Sequence, residues 1–171
     1  ITGDDKYLRW AECLNDEDMW VPLSKGEDIL HGWHANTQIP KFTGFTNVYR
    51  FNNDNNLYNA ARLFWDIVTT KHTWSNGGNS TGEHFFPEGE FADRVSNFGG
   101  PESCNSVNMM RLTEILLQMK ADVKYIDYYE KAVAISNALF GGDLTGLTAE
   151  EILIGMKMVP SVNISGEVKL I

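Results

Sequence analysis

The sequence predicts an all-α protein built as an array of helical hairpins. In several segments, apolar residues recur three and four positions apart, which is the spacing of one helix face. Strand-like alternation is scarce, and one long glycine-rich segment separates the periodic ones. With 43% apolar and 22% charged residues, the 171-residue chain has the composition of a globular domain that can bury a core.

The first part of the chain contains two helical segments of unequal regularity. The stretch KYLRWAECL has the pattern of the end of a helix. A second helix is predicted over HANTQIPKFTGFTNVYRF, which has apolar residues at Ile39, Phe42, Phe45 and Tyr49. Pro40 fits this helix only near its first turn, because a proline further along removes a helical hydrogen bond.

Three later segments have the spacing of amphipathic helices. In NLYNAARLFWDIVTTK the apolar stripe is Leu57, Ala60, Ala61, Phe64, Trp65 and Val68. In SVNMMRLTEILLQMK the stripe is Met109, Leu112, Ile115, Leu116 and Met119. In YIDYYEKAVAISNALF the stripe is Tyr125, Tyr128, Tyr129, Ala132 and Val133. The glycine pair at 141 and 142 is a C-cap signal that ends the last helix.

Two segments do not follow this pattern. Between residues 73 and 103, six glycines and two prolines occur without any period. A loop of this length inside a compact domain is more often functional than idle. Near the end of the chain, Thr148 and Glu151 form a capping box that predicts a short helix to about Met158. Pro160 ends that helix, and an extended segment follows.

The charge balance argues against two classes of partner. Fourteen basic residues stand against twenty-three acidic ones, the net charge is −9, and the basic residues form no patch along the chain. Nucleic acid and anionic membranes bind through basic clusters, so neither is expected as a partner. No apolar run is long enough to predict a transmembrane helix, and no signal peptide is recognised. The motifs of nucleotide-binding loops, serine hydrolases and zincin proteases are also missing.

Glu83 lies in the loop GGNSTGEHFFPEGEF, after Gly82 and before Phe85 and Phe86. Burial against aromatic rings disfavours a charged carboxylate. A carboxyl group whose pKa is raised in this way suits a general acid that protonates a leaving oxygen. A solvated loop glutamate fits the same spacing, so the pattern alone leaves both interpretations open.

The tripeptide ESC places the carboxylate of Glu102 and the thiol of Cys104 two residues apart. Such a pair is half of a tetrahedral zinc site, and Cys13 is the only other cysteine. A helix N-terminus lowers the pKa of a thiol and so favours a thiolate. The alternative is a buried free cysteine at the start of a helix.

The stretch HGWHANTQIP combines the imidazole of His34 with the indole of Trp33 and the amide of Gln38. Aromatic rings stack on the C–H faces of sugars and amides bond hydroxyl groups, so this set suits a carbohydrate. Polar residues that cap the start of a helix explain the stretch equally well. His72 ends its helix, where an imidazolium suits the helix dipole, and is interpreted as structural.

Three long segments resemble a known enzyme family. PLSKGEDILHGWHANTQIPKFTGF, LYNAARLFWDIVTTKHTWSNGGNSTGEHF and PESCNSVNMMRLTEILLQMKADVKYIDYYEKA are similar to the catalytic domain of glycoside hydrolase family 127, the β-L-arabinofuranosidases. The resemblance covers about residues 1–132. It implies an (α/α)6 barrel, of which the predicted helices form a part, and retaining hydrolysis of L-arabinofuranosides. It also implies that Glu83 is the acid/base, that Glu102 and Cys104 are zinc ligands, and that His34 contacts the sugar.

The same resemblance shows what this sequence lacks. The family's nucleophile lies in an adjacent cysteine pair downstream of ESC, and no such pair occurs here. The predicted helices are also too few for a complete barrel. We therefore expect a fragment of a retaining hydrolase of arabinose-containing glycans that is inactive by itself. Its uncovered apolar faces favour self-association, and its parent is expected to be bacterial, cytoplasmic or periplasmic.

The tail resembles a different family. From about residue 131, KAVAISNALFGGDLTGLTAEEILIGMKMVPSV is similar to bacterial tyrosyl-tRNA synthetases, in the segment between their catalytic core and their RNA-binding domain. The ATP-site signatures of that family are absent, so no aminoacylation is expected. The predicted organisation is a hydrolase-like domain over residues 1–130 and a helical tail over 131–171. The alternative is an engineered or computed chimera without enzymatic activity.

Overall fold

The computed structural model describes residues 3–74, 77–94 and 100–139. Within these ranges seven helices follow one another: α1 Asp5–Cys13, α2 Glu17–Ser24, α3 Ala35–Asn52, α4 Asn55–Lys71, α5 Phe91–Arg94, α6 Ser103–Met119 and α7 Val123–Leu139. The described residues contain a few isolated β-bridges but no β-strand. The all-α prediction is therefore confirmed for this part of the chain. No helix in it is long and apolar enough to cross a membrane.

Short turns join α3 to α4 and α6 to α7, and each of these pairs packs as a hairpin. Asn53 ends α3 in the left-handed conformation, with φ of 57°. Asp54 then caps α4, since its side chain accepts a hydrogen bond from the backbone N–H of Asn56. The helix α3 packs on both α4 and α6, while α4 also packs on α2, and α6 on α7.

Aromatic rings join these hairpins into one core. Phe42 of α3 and Phe64 of α4 stack face to face, with ring centroids 3.8 Å apart. Trp65 meets the edges of Tyr125 and Tyr128 from α7, at 4.6 Å and 5.6 Å. The indole Nε1 of Trp65 donates a 2.7 Å hydrogen bond to Oγ1 of Thr113 in α6. The first turns of α7 therefore share a core with α3 and α4.

The predicted apolar stripes agree best where a helix is covered from several sides. All six stripe residues of α4 are buried. On α6, Ile115 and Met119 are only half-buried, and the buried face includes the polar side chains of Asn105, Ser106 and Thr113. On α7, Tyr129 and Val133 are half-buried. Because an outer helix packs against fewer neighbours, residues at the edge of its apolar face remain partly exposed to solvent.

Two details of the helix predictions were wrong. KYLRWAECL is a complete helix and not the end of one, because Asp4 caps α1 through a hydrogen bond from the N–H of Lys6. The helix α2 was not predicted, since its only buried side chains are Met19 and Leu23 and Pro22 lies inside it. Pro40 is the sixth residue of α3, close to the first turn, as the sequence analysis required.

Other expectations concern residues outside the described ranges, or properties that the structure does not test. The glycine pair after α7, the Thr148 capping box and the extended end of the tail lie outside the described residues. The division at residue 130 stays a prediction, although α7 runs without interruption from Val123 to Leu139. Self-association also stays a prediction. The exposed apolar side chains on which it would depend include Tyr7, Trp10, Leu14 and Phe51, beside a groove of about 750 Å³ between α1 and α3.

The loop after α4 is held against α7 at a single glycine. Gly77 has φ of +77°, and a Cβ atom on it would lie 3.2 Å from the backbone of Ala132. Its carbonyl oxygen accepts a 3.2 Å hydrogen bond from the hydroxyl group of Tyr128. Burial raises the pKa of Tyr128, so this hydroxyl stays protonated and able to donate.

Replacement of Gly77 by alanine should therefore destabilise the protein. We expect Gly77→Ala to lower the free energy of unfolding by at least about 1–2 kcal/mol, because an L-residue is strained at this φ and its Cβ crowds α7. The matched control is Gly44→Ala in the middle of α3, where φ is ordinary and nothing lies within 4 Å. That change should raise stability by about 0.5–1 kcal/mol. Chemical denaturation of both variants measures the difference, and shifts of the same sign would contradict this account.

Candidate active site

Glu83 occupies the tip of a tight hairpin. Thr81 and His84 bond each other in both directions, with N–H to oxygen distances of 3.0 Å and 3.2 Å. The two residues between them, Gly82 and Glu83, have φ of 54° and 68°, as in the type I′ turns of two-residue hairpins. A left-handed conformation costs a non-glycine residue about 1–2 kcal/mol. Such strain persists only where the surrounding structure imposes it, and it is concentrated at functional sites.

The segment that precedes α3 imposes this conformation. Backbone hydrogen bonds run from the N–H of Ala35 to the oxygen of Glu83 at 2.8 Å, and from the N–H of Phe85 to the oxygen of Trp33 at 3.0 Å. A third runs from the N–H of Gly32 to the oxygen of Phe85 at 2.8 Å. The buried ring of Phe85 then anchors the hairpin in the core, against Phe64 and His72.

His72 supports the hairpin from below, as its structural interpretation requires. Its ring is buried, with 1% of the side chain exposed, and Nε2 lies 2.8 Å from Oδ2 of Asp28. Asp28 also accepts a hydrogen bond from the N–H of Leu30, just before the segment that pairs with the hairpin. The end of α4, the approach to α3 and the hairpin are therefore joined through one buried imidazole.

The hairpin brings the carboxylate of Glu83 to the imidazole of His34. Nε2 of His34 lies 3.3 Å from Oε2 of Glu83, and the two side chains are 35% and 54% exposed. The ring of His84 lies beside them, 5.1 Å from that of His34. Of the two interpretations that the sequence left open, burial of Glu83 against aromatic rings does not agree with this exposure, whereas a solvated position does. Phe85 and Phe86 are buried in the core, and Glu83 is exposed.

The other two residues predicted to contact a sugar differ in their access to solvent. Trp33 precedes His34 and is 38% exposed, so its indole can meet a ligand at the surface. Gln38 lies one turn into α3 and is only 3% exposed. Its Oε1 has no partner among the described residues, and the same holds for the buried Nδ1 of His34. Of the predicted set, His34 and Trp33 are the residues that share the surface with Glu83.

Glu102 and Cys104 meet at the start of α6. Sγ of Cys104 lies 3.3 Å from Oε2 of Glu102, which is the N-cap residue of the helix. Burial raises the pKa of the Cys104 thiol, and the bond to the Glu102 carboxylate raises it further. The predicted lowering by the helix N-terminus was therefore wrong, because desolvation and a neighbouring negative charge outweigh the dipole.

This pair provides only part of a zinc site. Protein zinc sites use four ligands, of which catalytic sites take three from the protein. Within 3–74, 77–94 and 100–139, no three histidine, cysteine, aspartate or glutamate side chains lie where they could hold a metal ion together. The ring of His84, which the sequence indicates as the nearest third ligand, instead places Nδ1 2.8 Å from the carbonyl oxygen of Gly82. The described residues thus fit zinc as half of a site.

Three polar residues that the sequence analysis did not select, together with Asn36 of the HANTQ stretch, attach the start of α6 to the hairpin and to α3. Nδ2 of Asn105 donates a buried 2.6 Å hydrogen bond to Oγ of Ser80, three residues before Glu83. Nδ2 of Asn108 donates a 2.7 Å bond to Oδ1 of Asn36 in the first turn of α3. The two amides lie one and four residues after Cys104, so the start of α6 is attached to the hairpin and to α3. Two asparagines three positions apart on an apolar helix face were the signal that could have indicated this.

Comparison with known proteins gives one short match to a curated relative. A segment of 36 residues is 56% identical to tyrosine–tRNA ligase 1 of Bacillus licheniformis. The match covers 21% of this chain and 9% of that protein. The chain thus spans only a small part of this relative, so the likeness concerns the segment alone.

Comparison with family models gives a much longer match. The model described as "Beta-L-arabinofuranosidase, GH127 catalytic domain" covers residues 1–142. This range includes all seven helices, the Glu83 hairpin and the Glu102–Cys104 pair. The chain therefore belongs to the family of the GH127 β-L-arabinofuranosidase catalytic domain.

Proposed function

We propose that this chain carries the acid/base part of a retaining glycosidase site for L-arabinofuranosides, with Glu83 as the acid/base. The observation that supports it best is the strained, left-handed backbone at Glu83, which presents an ionisable carboxyl group at the surface of a fixed hairpin. Strain of this kind is retained where it orients a functional group. Family membership supplies the substrate class, which is an arabinofuranoside.

In the proposed role, the Glu83 carboxyl group gives its proton to the oxygen of the leaving sugar or alcohol. Its exposure leaves room for that oxygen to approach within hydrogen-bond distance, which general acid catalysis requires. The indole of Trp33 provides a flat apolar surface for the C–H face of the sugar. The ring of His34 borders the same surface, with its Nε2 directed at Glu83. Gln38 is buried, so its proposed contribution to sugar binding is indirect: it would support the first turn of α3, next to His34.

Glu102 and Cys104 are proposed as two ligands of a zinc ion. Zinc, when bound, keeps a coordinating thiol deprotonated. In this chain the two side chains already contact each other at the start of α6. Asn105 fixes that turn to the loop of the hairpin through its buried bond to Ser80. The zinc ligands and the acid/base are thus held on one framework.

The 171 residues by themselves should not complete the reaction. The sequence contains Cys13 and Cys104 and no adjacent cysteine pair to act as the nucleophile. Cys13 lies exposed on α1, and Cys104 is itself one of the two proposed metal ligands. We therefore propose that this chain holds a part of the catalytic site and is inactive alone.

A second candidate is a chimeric helical protein without activity. The 56% identity over 36 residues to a tyrosine–tRNA ligase favours it, because one chain then combines segments of two unrelated families. In this case the hairpin would persist as inherited structure without a ligand. Sugar binding separates the two candidates.

We expect methyl β-L-arabinofuranoside to bind weakly at the hairpin. In NMR spectra of the chain, titration with this sugar should shift the indole signal of Trp33 and the ring signals of His34, and the shifts should be lost in Trp33→Ala. The matched control is His31→Ala, which changes a neighbouring exposed histidine and should leave the shifts in place. Methyl β-D-galactopyranoside serves as the control sugar. An absence of shifts at high sugar concentration would favour the chimera.

We expect hydrolysis of an aryl β-L-arabinofuranoside by this chain to stay at background in the presence of zinc and a thiol reductant. The reason is the missing cysteine pair, since without a nucleophile the acid/base alone does not form the covalent intermediate. Release of the aryl group is followed by absorbance. Turnover that disappears in Glu83→Gln, and persists in the exposed control Glu88→Gln, would overturn the proposal that the chain is inactive.

We expect the chain to retain far less than one zinc ion per molecule after gel filtration in metal-free buffer. Two of the usual ligands hold zinc too weakly to survive dilution. Elemental analysis of the protein peak measures the content. Retention of one zinc per chain that is lost in Cys104→Ser, and kept in the exposed control Cys13→Ser, would show that a further side chain completes the site.

A further inference from the structure

We propose that His34 is the positioning residue of Glu83: its Nε2–H donates to Oε2 and leaves Oε1 for the proton that the reaction moves. This inference rests on the proposed role of Glu83 as the acid/base. Nε2 of His34 lies 3.3 Å from Oε2 of Glu83. Oε1 makes no hydrogen bond or ion pair with a described residue, and the Glu83 side chain is 54% exposed. One carboxylate oxygen is therefore held by the protein, and the other is left for a ligand.

The side chain of His34 is not used to cap α3. His34 is the N-cap residue of that helix, with φ of −70° and ψ of 110°, yet its side chain makes no capping hydrogen bond. A polar N-cap side chain ordinarily accepts from a backbone N–H of the first turn. The helix-capping interpretation of this stretch therefore does not apply to His34, and its imidazole is directed at Glu83 instead.

The contact is prepared by the backbone of both residues. The carbonyl oxygen of Glu83 accepts from the N–H of Ala35, the residue after His34, at 2.8 Å. His34 and His84 also face each other across an antiparallel bridge. These backbone contacts hold the segments of the two residues side by side, so little further ordering is needed for the side chains to meet. The left-handed φ of Glu83 is the cost of this arrangement.

The environment of the ring selects one tautomer. A neutral imidazole has one N–H donor and one acceptor nitrogen, and an ionised carboxylate only accepts. Nε2 must therefore carry the hydrogen when it bonds Glu83. Nδ1 is buried and has no partner among the described residues, so a hydrogen there would be an unpaired buried donor. Both nitrogens favour the Nε2–H form.

This form limits what His34 can do in the proposed reaction. The proton that reaches the leaving oxygen comes from Oε1 of Glu83: the Oε1–H bond breaks, its electron pair stays on the carboxylate, and a new O–H bond forms on the departing group. His34 keeps its own proton and holds Oε2 throughout. Loss of His34 would therefore misorient Glu83 without removing the acid.

His84 provides an internal reference within the same hairpin. Its Nδ1 lies 2.8 Å from the carbonyl oxygen of Gly82, which only accepts, so Nδ1 of His84 must carry the hydrogen. The structure thus assigns opposite tautomers to two histidine rings whose centroids are 5.1 Å apart. A single spectrum can test both.

The test is a long-range ¹H–¹⁵N correlation spectrum of the ¹⁵N-labelled chain at about pH 8, above the ordinary imidazole pKa of about 6.5. We expect the Nε2–H pattern for His34 and the Nδ1–H pattern for His84, with assignments from His34→Gln and His84→Gln. In Glu83→Ala the His34 ring should keep the Nε2–H tautomer, because Nδ1 stays buried, but its Nε2 proton loses its acceptor, so the proton signal should shift and exchange faster with water. In Glu83→Gln the proton signal should stay close to its original position, because the amide oxygen still accepts.

The Nδ1–H signal of His84 reports whether the hairpin survives in each variant. If Glu83→Ala disturbs it, Glu83→Gly replaces that variant, since glycine adopts the left-handed conformation without strain. An Nδ1–H tautomer of His34 in the unmodified chain, or an unchanged Nε2–H proton signal in a variant that keeps the hairpin but lacks the carboxylate, would overturn the proposal. The spectrum needs no sugar, so this outcome leaves the proposed function to its own binding test, and a failure of sugar binding leaves the tautomer result standing.

Discussion

The pairing of the Glu83 hairpin with the segment before α3 is the constraint on which the candidate site depends. Three backbone hydrogen bonds between residues 32–35 and 83–85 fix the conformation of a loop that has little secondary structure of its own. They place Glu83 beside His34 although 48 residues separate the two in the chain. Phe85 adds the apolar anchor, because its burial against Phe64 and His72 fixes the depth of the hairpin on the helical core.

The rest of the helical array keeps that pairing in place from two sides. On one side, α6 is attached to the loop through Asn105 and to α3 through Asn108, and these bonds also bring the Glu102–Cys104 pair to the same face. On the other side, α7 closes over Trp65 and reaches the loop at Gly77. Buried polar bonds of this kind are expensive to break, since each leaves an unsatisfied donor or acceptor. They therefore specify one position for a segment that contains little secondary structure of its own.

The sequence predicted the helices well where burial follows a simple period. In α4 the six stripe residues are all buried, because this helix is covered by both α2 and α3. The helix α2 went unrecognised, since two buried side chains and an internal proline make no period that can be distinguished from a loop. The electrostatics of single groups could not be predicted for a related reason. The exposure of Glu83 and the raised pKa of Cys104 follow from where neighbouring segments come to lie, and adjacency in the chain does not determine that.

By itself the sequence determined the all-α class, the amphipathic faces of α3, α4, α6 and α7, and the residue types available for acid/base and metal chemistry. Local periodicity and composition are sufficient for these, because each depends on side chains within a few turns of one another. Only the tertiary structure decided that His34 meets Glu83, that His84 turns back to Gly82 and that Asn105 joins the Glu102–Cys104 turn to the hairpin. Each of these contacts requires a turn with positive φ or a long-range hydrogen bond. Their geometry is set by the packing of distant segments against one core, so it cannot be predicted from a local sequence pattern.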